Sequence, residues 1–180
     1  MLFRSQIGTI CLVYMDDIIV YSKSLVDHVK HVKAILEIMR QKKIYINRDK
    51  CSIIQREIKF LGHRISKHGI KISDDKVKAM REIASPKTKK ELHSALGLLT
   101  WFKKFVPTYS KKTRLLWEIF KADKFKWTPE AETVYRDLIE ELCDAPVLKH
   151  PDMTKPFVVH TDASIEGLGA VLTQVESNKE

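Results

Sequence analysis

Leu12-Val13-Tyr14-Met15-Asp16-Asp17-Ile18-Ile19-Val20-Tyr21-Ser22 is the stretch from which the rest of the chain is best read. Two short β-branched and aromatic runs, from Ile10 to Tyr14 and from Ile18 to Tyr21, flank Met15-Asp16-Asp17, a pattern that predicts two strands joined by a tight turn. The strands are apolar at nearly every position, which predicts burial on both faces. Two adjacent carboxylates at a hairpin tip have an undemanding reading, because Asp favours turns and a solvated carboxylate costs little there. Against it, like charges pinned beside a core repel each other unless a cation sits between them. Mg²⁺ prefers carboxylate and phosphate oxygens. Two such ions about 3.5–4 Å apart activate an attacking hydroxyl and stabilise a leaving pyrophosphate.

Downstream of the hairpin the period changes. Leu25, Val29, Val32, Leu36 and Met39 mark an amphipathic helix that follows a cap at Ser22 to Ser24 and ends near Lys42. Ile44 to Ile46, Ile53-Ile54 and Ile58 to Ile65 read as strands, and Ser66-Lys67-His68-Gly69 supplies a turn before Ile70-Lys71-Ile72. Asp74 is expected to cap a helix running to Ala84, before Ser85-Pro86. Thr88 and Glu91 form a capping box for a helix over 89–105, which Pro107 stops. A further helix runs through Leu115, Leu116, Ile119 and Phe120, and Thr128-Pro129 opens another that ends near Leu142. A proline-punctuated linker leads to a last hairpin, Phe157 to Thr161 with Gly167 to Gln174. The fold class is α+β.

Of the 180 residues 44% are hydrophobic and 31% charged, a globular composition that excludes wholesale disorder. Cys11, Cys51 and Cys143 lie far apart, which argues against a disulfide scaffold and for a reducing compartment. The apolar run from Ile10 to Met15 ends after six residues where a membrane span needs about 20, so no membrane partner is expected. Charge is unevenly distributed: residues 23–127 carry +17, whereas residues 128–180 carry −7. A long polyanion suits the basic body, since each neutralised phosphate releases counterions; a lysine-rich solvated surface is the plainer alternative.

At this point the residues carry a family likeness. Tyr14-Met15-Asp16-Asp17 resembles the Tyr-x-Asp-Asp signature of reverse transcriptases. The order of segments through Lys50-Cys51, Phe60-Leu61-Gly62-His63, Gly69-Ile70, Pro86-Lys87-Thr88 and Leu96-Gly97-Leu98 is similar to the polymerases of gypsy-type LTR retrotransposons. It continues through Trp127-Thr128, Ala145-Pro146-Val147-Leu148 and Thr161-Asp162-Ala163-Ser164. The resemblance implies a C-terminal palm over 1–72, a helical thumb over 73–123, and a connection helix with the start of an RNase H-like domain over 124–180.

By that resemblance Asp16 and Asp17 are two of three palm carboxylates and hold Mg²⁺, with Mn²⁺ as the alternative ion. Tyr14 and Met15 lie beside the primer end and the incoming dNTP. Phe60, Leu61, Gly62 and His63 resemble the primer grip, which positions the primer hydroxyl; read alone they are an ordinary strand. His93, Gly97 and Trp101 share a helix face with Lys103 and Lys104 near it. A glycine inside a helix marks close backbone approach, either to a duplex minor groove, as in the thumb of reverse transcriptases, or to another helix. Lys111, Lys112 and Arg114 are expected to extend the phosphate-facing surface. His28 and His31 sit three apart without further metal-ligand types nearby and are read as surface or packing residues, and Asp74-Asp75 as helix-start residues.

Val158 to Ser164 with Gly167-Leu168-Gly169 resembles the opening of an RNase H domain, an endonuclease, in which Asp162 is the first metal carboxylate. Glu166 is too close in sequence to stand for a second. The resemblance places the third palm aspartate and the fingers before Met1, and the remaining RNase H carboxylates after Glu180. The expectation is therefore a fragment of a Pol polyprotein that binds template-primer and does not polymerise alone, working in a cytoplasmic or nuclear retroelement particle. The alternative is a catalytically silent nucleic-acid-binding remnant.

Overall fold

The computed structural model describes residues 2–164 and 167–175, and the chain divides into two units, Met1–Arg56 and Glu57–Glu180. The division falls in the coil that follows the first helix.

In the first unit, β1 (Cys11–Tyr14) pairs antiparallel with β2 (Asp17–Val20), with Tyr14 opposite Asp17. The two-residue turn places Met15 at a left-handed φ of 51°. Ser24 caps α1 (Leu25–Gln41): its hydroxyl accepts from the Asp27 amide at 3.1 Å and donates to the Asp27 carboxylate at 2.6 Å. Phe3, Cys11, Ile35 and Met39 form the core, with Ile18 and Val20 against it. Burial pushes the Cys11 thiol up from its ordinary value.

Two expectations fail in this unit. The hairpin is not buried on both faces, since Leu12, Val13 and Tyr14 are exposed. A two-stranded ribbon has one face to lay on α1, and the described residues of this unit supply no second layer. Ile44 to Ile46 and Ile53-Ile54 form no strands; they are irregular segments on either side of a 3₁₀ turn over Arg48–Lys50. A β-rich segment becomes a strand only when a neighbour completes its hydrogen-bond ladder.

The second unit opens with a meander of β3 (Glu57–Phe60), β4 (His63–Ser66) and β5 (Gly69–Ile72). Leu61 and Gly62 form the first turn with φ of 49° and 79°, the mirror-image geometry that matches strand twist. The Arg64 guanidinium ties Glu57 to Asp74, and Lys59 reaches Asp75 at 2.5 Å. The linker adds to the sheet edge: Ile70 N–H donates to the Leu148 carbonyl at 2.8 Å and Leu148 N–H donates back at 2.9 Å. Gly69 permits this approach. A Cβ there would stand 2.2 Å from the Leu148 oxygen, and its φ is 136°.

Four helices follow: α2 (Asp74–Arg81), α3 (Lys89–Trp101), α4 (Tyr109–Lys121) and α5 (Pro129–Cys143). Leu92, Leu96, Leu99, Leu116, Tyr135, Leu138 and Leu142 are fully buried together. Ser73, not Asp74, takes the cap position of α2, and that helix stops at Arg81, short of Ala84. Likewise α3 ends at Trp101 instead of continuing to 105. Phe102 leaves the helical region, and a 3₁₀ turn over Lys103–Phe105 follows. A three-residue turn stacks Phe102 and Phe105 on one side, and both rings drop into the core. Beyond the linker, β6 (Val158–Ser164) and β7 (Gly167–Thr173) form an antiparallel hairpin.

One polar cluster locks α5 to the segment before α3. The Glu132 carboxylate accepts from Ser85 Oγ at 2.6 Å, Trp127 Nε1 at 2.7 Å and Arg136 Nε at 2.9 Å. The Ser85 and Trp127 bonds, with that from Arg136, hold its carboxyl down at about 2. Arg136 also reaches the Ile83 carbonyl at 3.0 Å and Ser85 Oγ at 2.7 Å. Nearby, the Tyr135 hydroxyl is buried without a partner.

Glu132→Gln is expected to lower the thermal midpoint at neutral pH. The depressed carboxyl contributes only while ionised, so the gap to wild type is full above the ordinary 4.5 and closes as pH falls toward about 2. Tyr135→Phe is expected to leave the midpoint unchanged or raise it, because it removes a desolvated hydroxyl that bonds to nothing. Thermal unfolding across a pH series checks both.

Candidate active site

In the first unit the strand register sets Asp16 in the turn and Asp17 at the first position of β2. Both side chains are exposed, and neither has an ion pair or hydrogen bond among the described residues. Tyr14 and Met15 stand beside them, Met15 at 83% exposure. A large apolar side chain held in solvent at a left-handed turn residue is unfavourable for folding alone, which sets this tip apart from an ordinary hairpin end. The two carboxylates are hard oxygen donors, and no third metal-ligating side chain joins them among the described residues.

The exit of β2 is fastened to α1. His28 Nδ1 and His31 Nδ1 lie 3.2 and 2.7 Å from Ser22 Oγ, and His31 Nδ1 also lies 3.3 Å from the Tyr21 carbonyl. These histidines therefore anchor the strand that carries Asp17, a role that their sequence spacing alone did not indicate.

In the second unit Phe60, Leu61, Gly62 and His63 form a tight turn and not a continuous strand. His63 is buried beneath Phe102, Phe105 and Trp101, with ring centroids 5.2, 5.9 and 6.4 Å away. Its Nδ1 donates to the Leu61 carbonyl at 3.0 Å, which leaves Nε2 as a bare acceptor, buried and unpartnered. Burial, reinforced by the Lys104 ammonium, lowers the imidazole's pKa and favours the neutral ring. Trp101 Nε1 donates to the same Leu61 oxygen at 3.1 Å. The Gly62 carbonyl accepts from the Ser73 amide at 2.9 Å.

The face shared by His93, Gly97 and Trp101 divides. His93 stacks on Phe120 of α4, with centroids 4.9 Å apart and planes 10° apart, so it serves helix packing. At Gly97 an added Cβ would meet nothing within 4 Å, so among the described residues no other helix uses the gap it leaves. Trp101 is 47% exposed beyond its hydrogen-bonded edge. Lys103 and Lys104 are both exposed; the Lys104 ammonium lies over the Phe105 ring at 5.3 Å, and partial desolvation there lowers its pKa. Lys112 and Arg114 do not extend a free cationic surface: Lys112 pairs with Glu141 at 2.6 Å and Arg114 with Glu118 at 2.9 Å. Asp162 lies in β6 opposite Gly169; its side chain, like Glu166, lies outside the described residues.

Comparison with known proteins gives these features a common origin. Residues 2–65 match the family described as reverse transcriptase (RNA-dependent DNA polymerase), and residues 127–180 match the RNase H-like domain found in reverse transcriptase. The chain belongs to the reverse transcriptases. Over 162 residues this reverse transcriptase chain is 38% identical to the Transposon Tf2-3 polyprotein of Schizosaccharomyces pombe, covering 89% of the chain and 12% of the polyprotein. It is 37% identical to the Tf2-7 polyprotein of the same yeast over the same length. The chain thus spans about an eighth of the curated relatives it matches. Among solved structures it is similar to a foamy viral protease-reverse transcriptase in complex with double-stranded DNA, with a TM-score of 0.79 and 28% identity over 91% of this chain and 29% of that one. The foamy viral protein in complex with an RNA/DNA hybrid matches with a TM-score of 0.77 and 28% identity, over 91% of this chain and 22% of that one.

The open space at Gly97 generates a direct test. Gly97→Ala in the reverse transcriptase chain is expected to raise unfolding stability by about 1 kcal/mol, the helix-propensity difference with no clash to offset it. Urea unfolding midpoints measure this, and a loss would mean that another element covers the position.

Proposed function

We propose that this chain supplies the C-terminal palm, thumb and RNase H start of a gypsy-like retroelement polymerase, over residues 1–72, 73–123 and 124–180 respectively. Its partners are a template-primer duplex, an incoming dNTP, and the upstream palm and fingers. The duplex is supported by the solved complexes of the foamy viral protein with DNA and with an RNA/DNA hybrid. The observation that carries the reading is the exposed Tyr14-Met15-Asp16-Asp17 tip with two unengaged carboxylates.

The donor set fits Mg²⁺, since two carboxylates with open surroundings leave room for phosphate and water oxygens. When bound, such ions activate the primer hydroxyl and neutralise charge on the leaving pyrophosphate. Asp16 and Asp17 hold the ions, Asp16 as the more direct ligand, with Mn²⁺ as the alternative. Tyr14 and Met15 border the primer end and the nucleotide. The Phe60 to His63 turn holds the primer terminus in line for attack. Gly97 and Trp101 offer a small-residue gap and an aromatic edge suited to a minor groove, with Lys103 and Lys104 on flanking phosphates, while His93 supports the helix from behind. Asp162 is proposed as the first carboxylate of the RNase H site.

Among the described residues no third metal-ligating side chain stands with Asp16 and Asp17, and this favours a second reading: a chain that binds duplex without catalysing synthesis. The two readings separate in one experiment. With the upstream palm and fingers supplied, Asp16→Asn is expected to reduce Mg²⁺-dependent dNTP incorporation by at least about a thousandfold while duplex affinity stays within about twofold. Loss of binding along with synthesis would overturn the metal-holding role.

A further inference from the structure

We propose that Trp101 is a positioning residue that ties α3 to the Leu61–Gly62 turn, so that the thumb helix and the primer-grip turn place a duplex as one body. The inference rests on the primer-grip reading of residues 60–63 and adds to it a device that fixes the turn's orientation. Leu61 is a branched, non-glycine residue at φ 49°, a conformation that persists only when its surroundings impose it. The imposition comes from donors inside and outside the hairpin. The Leu61 carbonyl accepts from His63 within the hairpin at 3.0 Å and from Trp101 at the end of α3 at 3.1 Å. The next carbonyl, Gly62, accepts from the Ser73 amide at the start of α2 at 2.9 Å. The two successive carbonyls are thus held toward two helices.

The back of the turn is closed as well. A Cβ on Gly62 would come 3.2 Å from Phe102 Cζ, and Phe102 directly follows Trp101. His63 fills the space between, its Nε2 buried and unpartnered among the described residues. Of these ties, Trp101 alone is half-exposed, with its N–H edge on Leu61 and the rest of its ring on the face that carries Gly97. A ligand that seats against this ring is in register with the turn through a single hydrogen bond. The indole touches no reacting atom; it acts through Leu61.

The test separates the hydrogen bond from the ring. The full 180-residue chain is prepared with Trp101 replaced by benzothienylalanine, which keeps the bicyclic shape and removes the N–H, and in parallel as Trp101→Phe. Each is mixed with an RNA/DNA hybrid whose recessed DNA primer ends in 4-thiothymidine, irradiated, and the crosslinked residues are mapped. In wild type the terminal nucleotide is expected to crosslink within residues 60–63. In both variants that yield is expected to fall about fivefold, as for loss of one ordinary hydrogen bond, and the crosslinks to spread. Yields are compared per hybrid bound, so that any change in affinity is divided out; for benzothienylalanine amide exchange of the buried α3 residues is unchanged, while exchange over 60–63 accelerates. Unchanged crosslinking at 60–63 in the benzothienylalanine protein overturns the positioning role and leaves the primer-grip reading standing. A wild-type chain that binds the hybrid but crosslinks elsewhere overturns the primer-grip reading, and the inference with it.

Discussion

The Leu61 carbonyl oxygen is the point from which the second unit is organised. Two donors meet there, the His63 imidazole and the Trp101 indole, and the turn they hold sits in a backbone region that a branched residue avoids when left alone. Once that turn is set, β3 and β4 are in register and the Gly62 carbonyl is aimed at the first amide of the α2 cap. His63 is brought under the two phenylalanines that end α3. The early stop of α3 belongs to the same arrangement, since the 3₁₀ turn sets Phe105 directly in line with Phe102, where α-helical spacing would place it about 60° round the axis.

The first unit depends on a weaker frame. Cys11, Ile35, Met39 and Phe3 fill one side of a two-stranded ribbon, while the other side carries exposed Leu12 and Tyr14. The tip is nevertheless well defined, because β2 is fastened at both ends: by its pairing with β1, and by Ser22 and the Tyr21 carbonyl against His28 and His31. The acidic pair therefore projects from a held hairpin. Its carboxylates are open to ligands, since among the described residues no cationic side chain neutralises them.

Much of this was legible in the residues. Thr88 with Glu91, and Thr128 with Pro129, marked helix starts that the structure keeps, because caps are local chemistry. The helix from Leu25, the hairpin at Asp16-Asp17 and the final hairpin likewise followed from periodicity. What could not be read depended on long-range partners. Ile44 to Ile46 has strand composition but, among the described residues, no strand beside it, and the exposure of Leu12 follows from a ribbon with one covered face. The division of the His93, Gly97 and Trp101 face depended on Phe120, which arrives from a separate helix. The bond from Trp101 to Leu61 joins residues forty apart in sequence, and no local pattern announces it.

The backbone bridge between Ile70 and Leu148 has a consequence for the far end of the chain. His150 Nε2 lies 2.7 Å from the Ser66 carbonyl, which fixes the linker to the meander there, and β6 begins at Val158. The seven intervening residues, 151 to 157, include two prolines and extend at most roughly 25 Å. The RNase H-like hairpin is accordingly on a short, stiff leash whose anchor is the sheet edge. The distance of that hairpin from the meander is thus capped by the tether, and the bare α-carbon at Gly69 is what lets the anchor seat against Leu148.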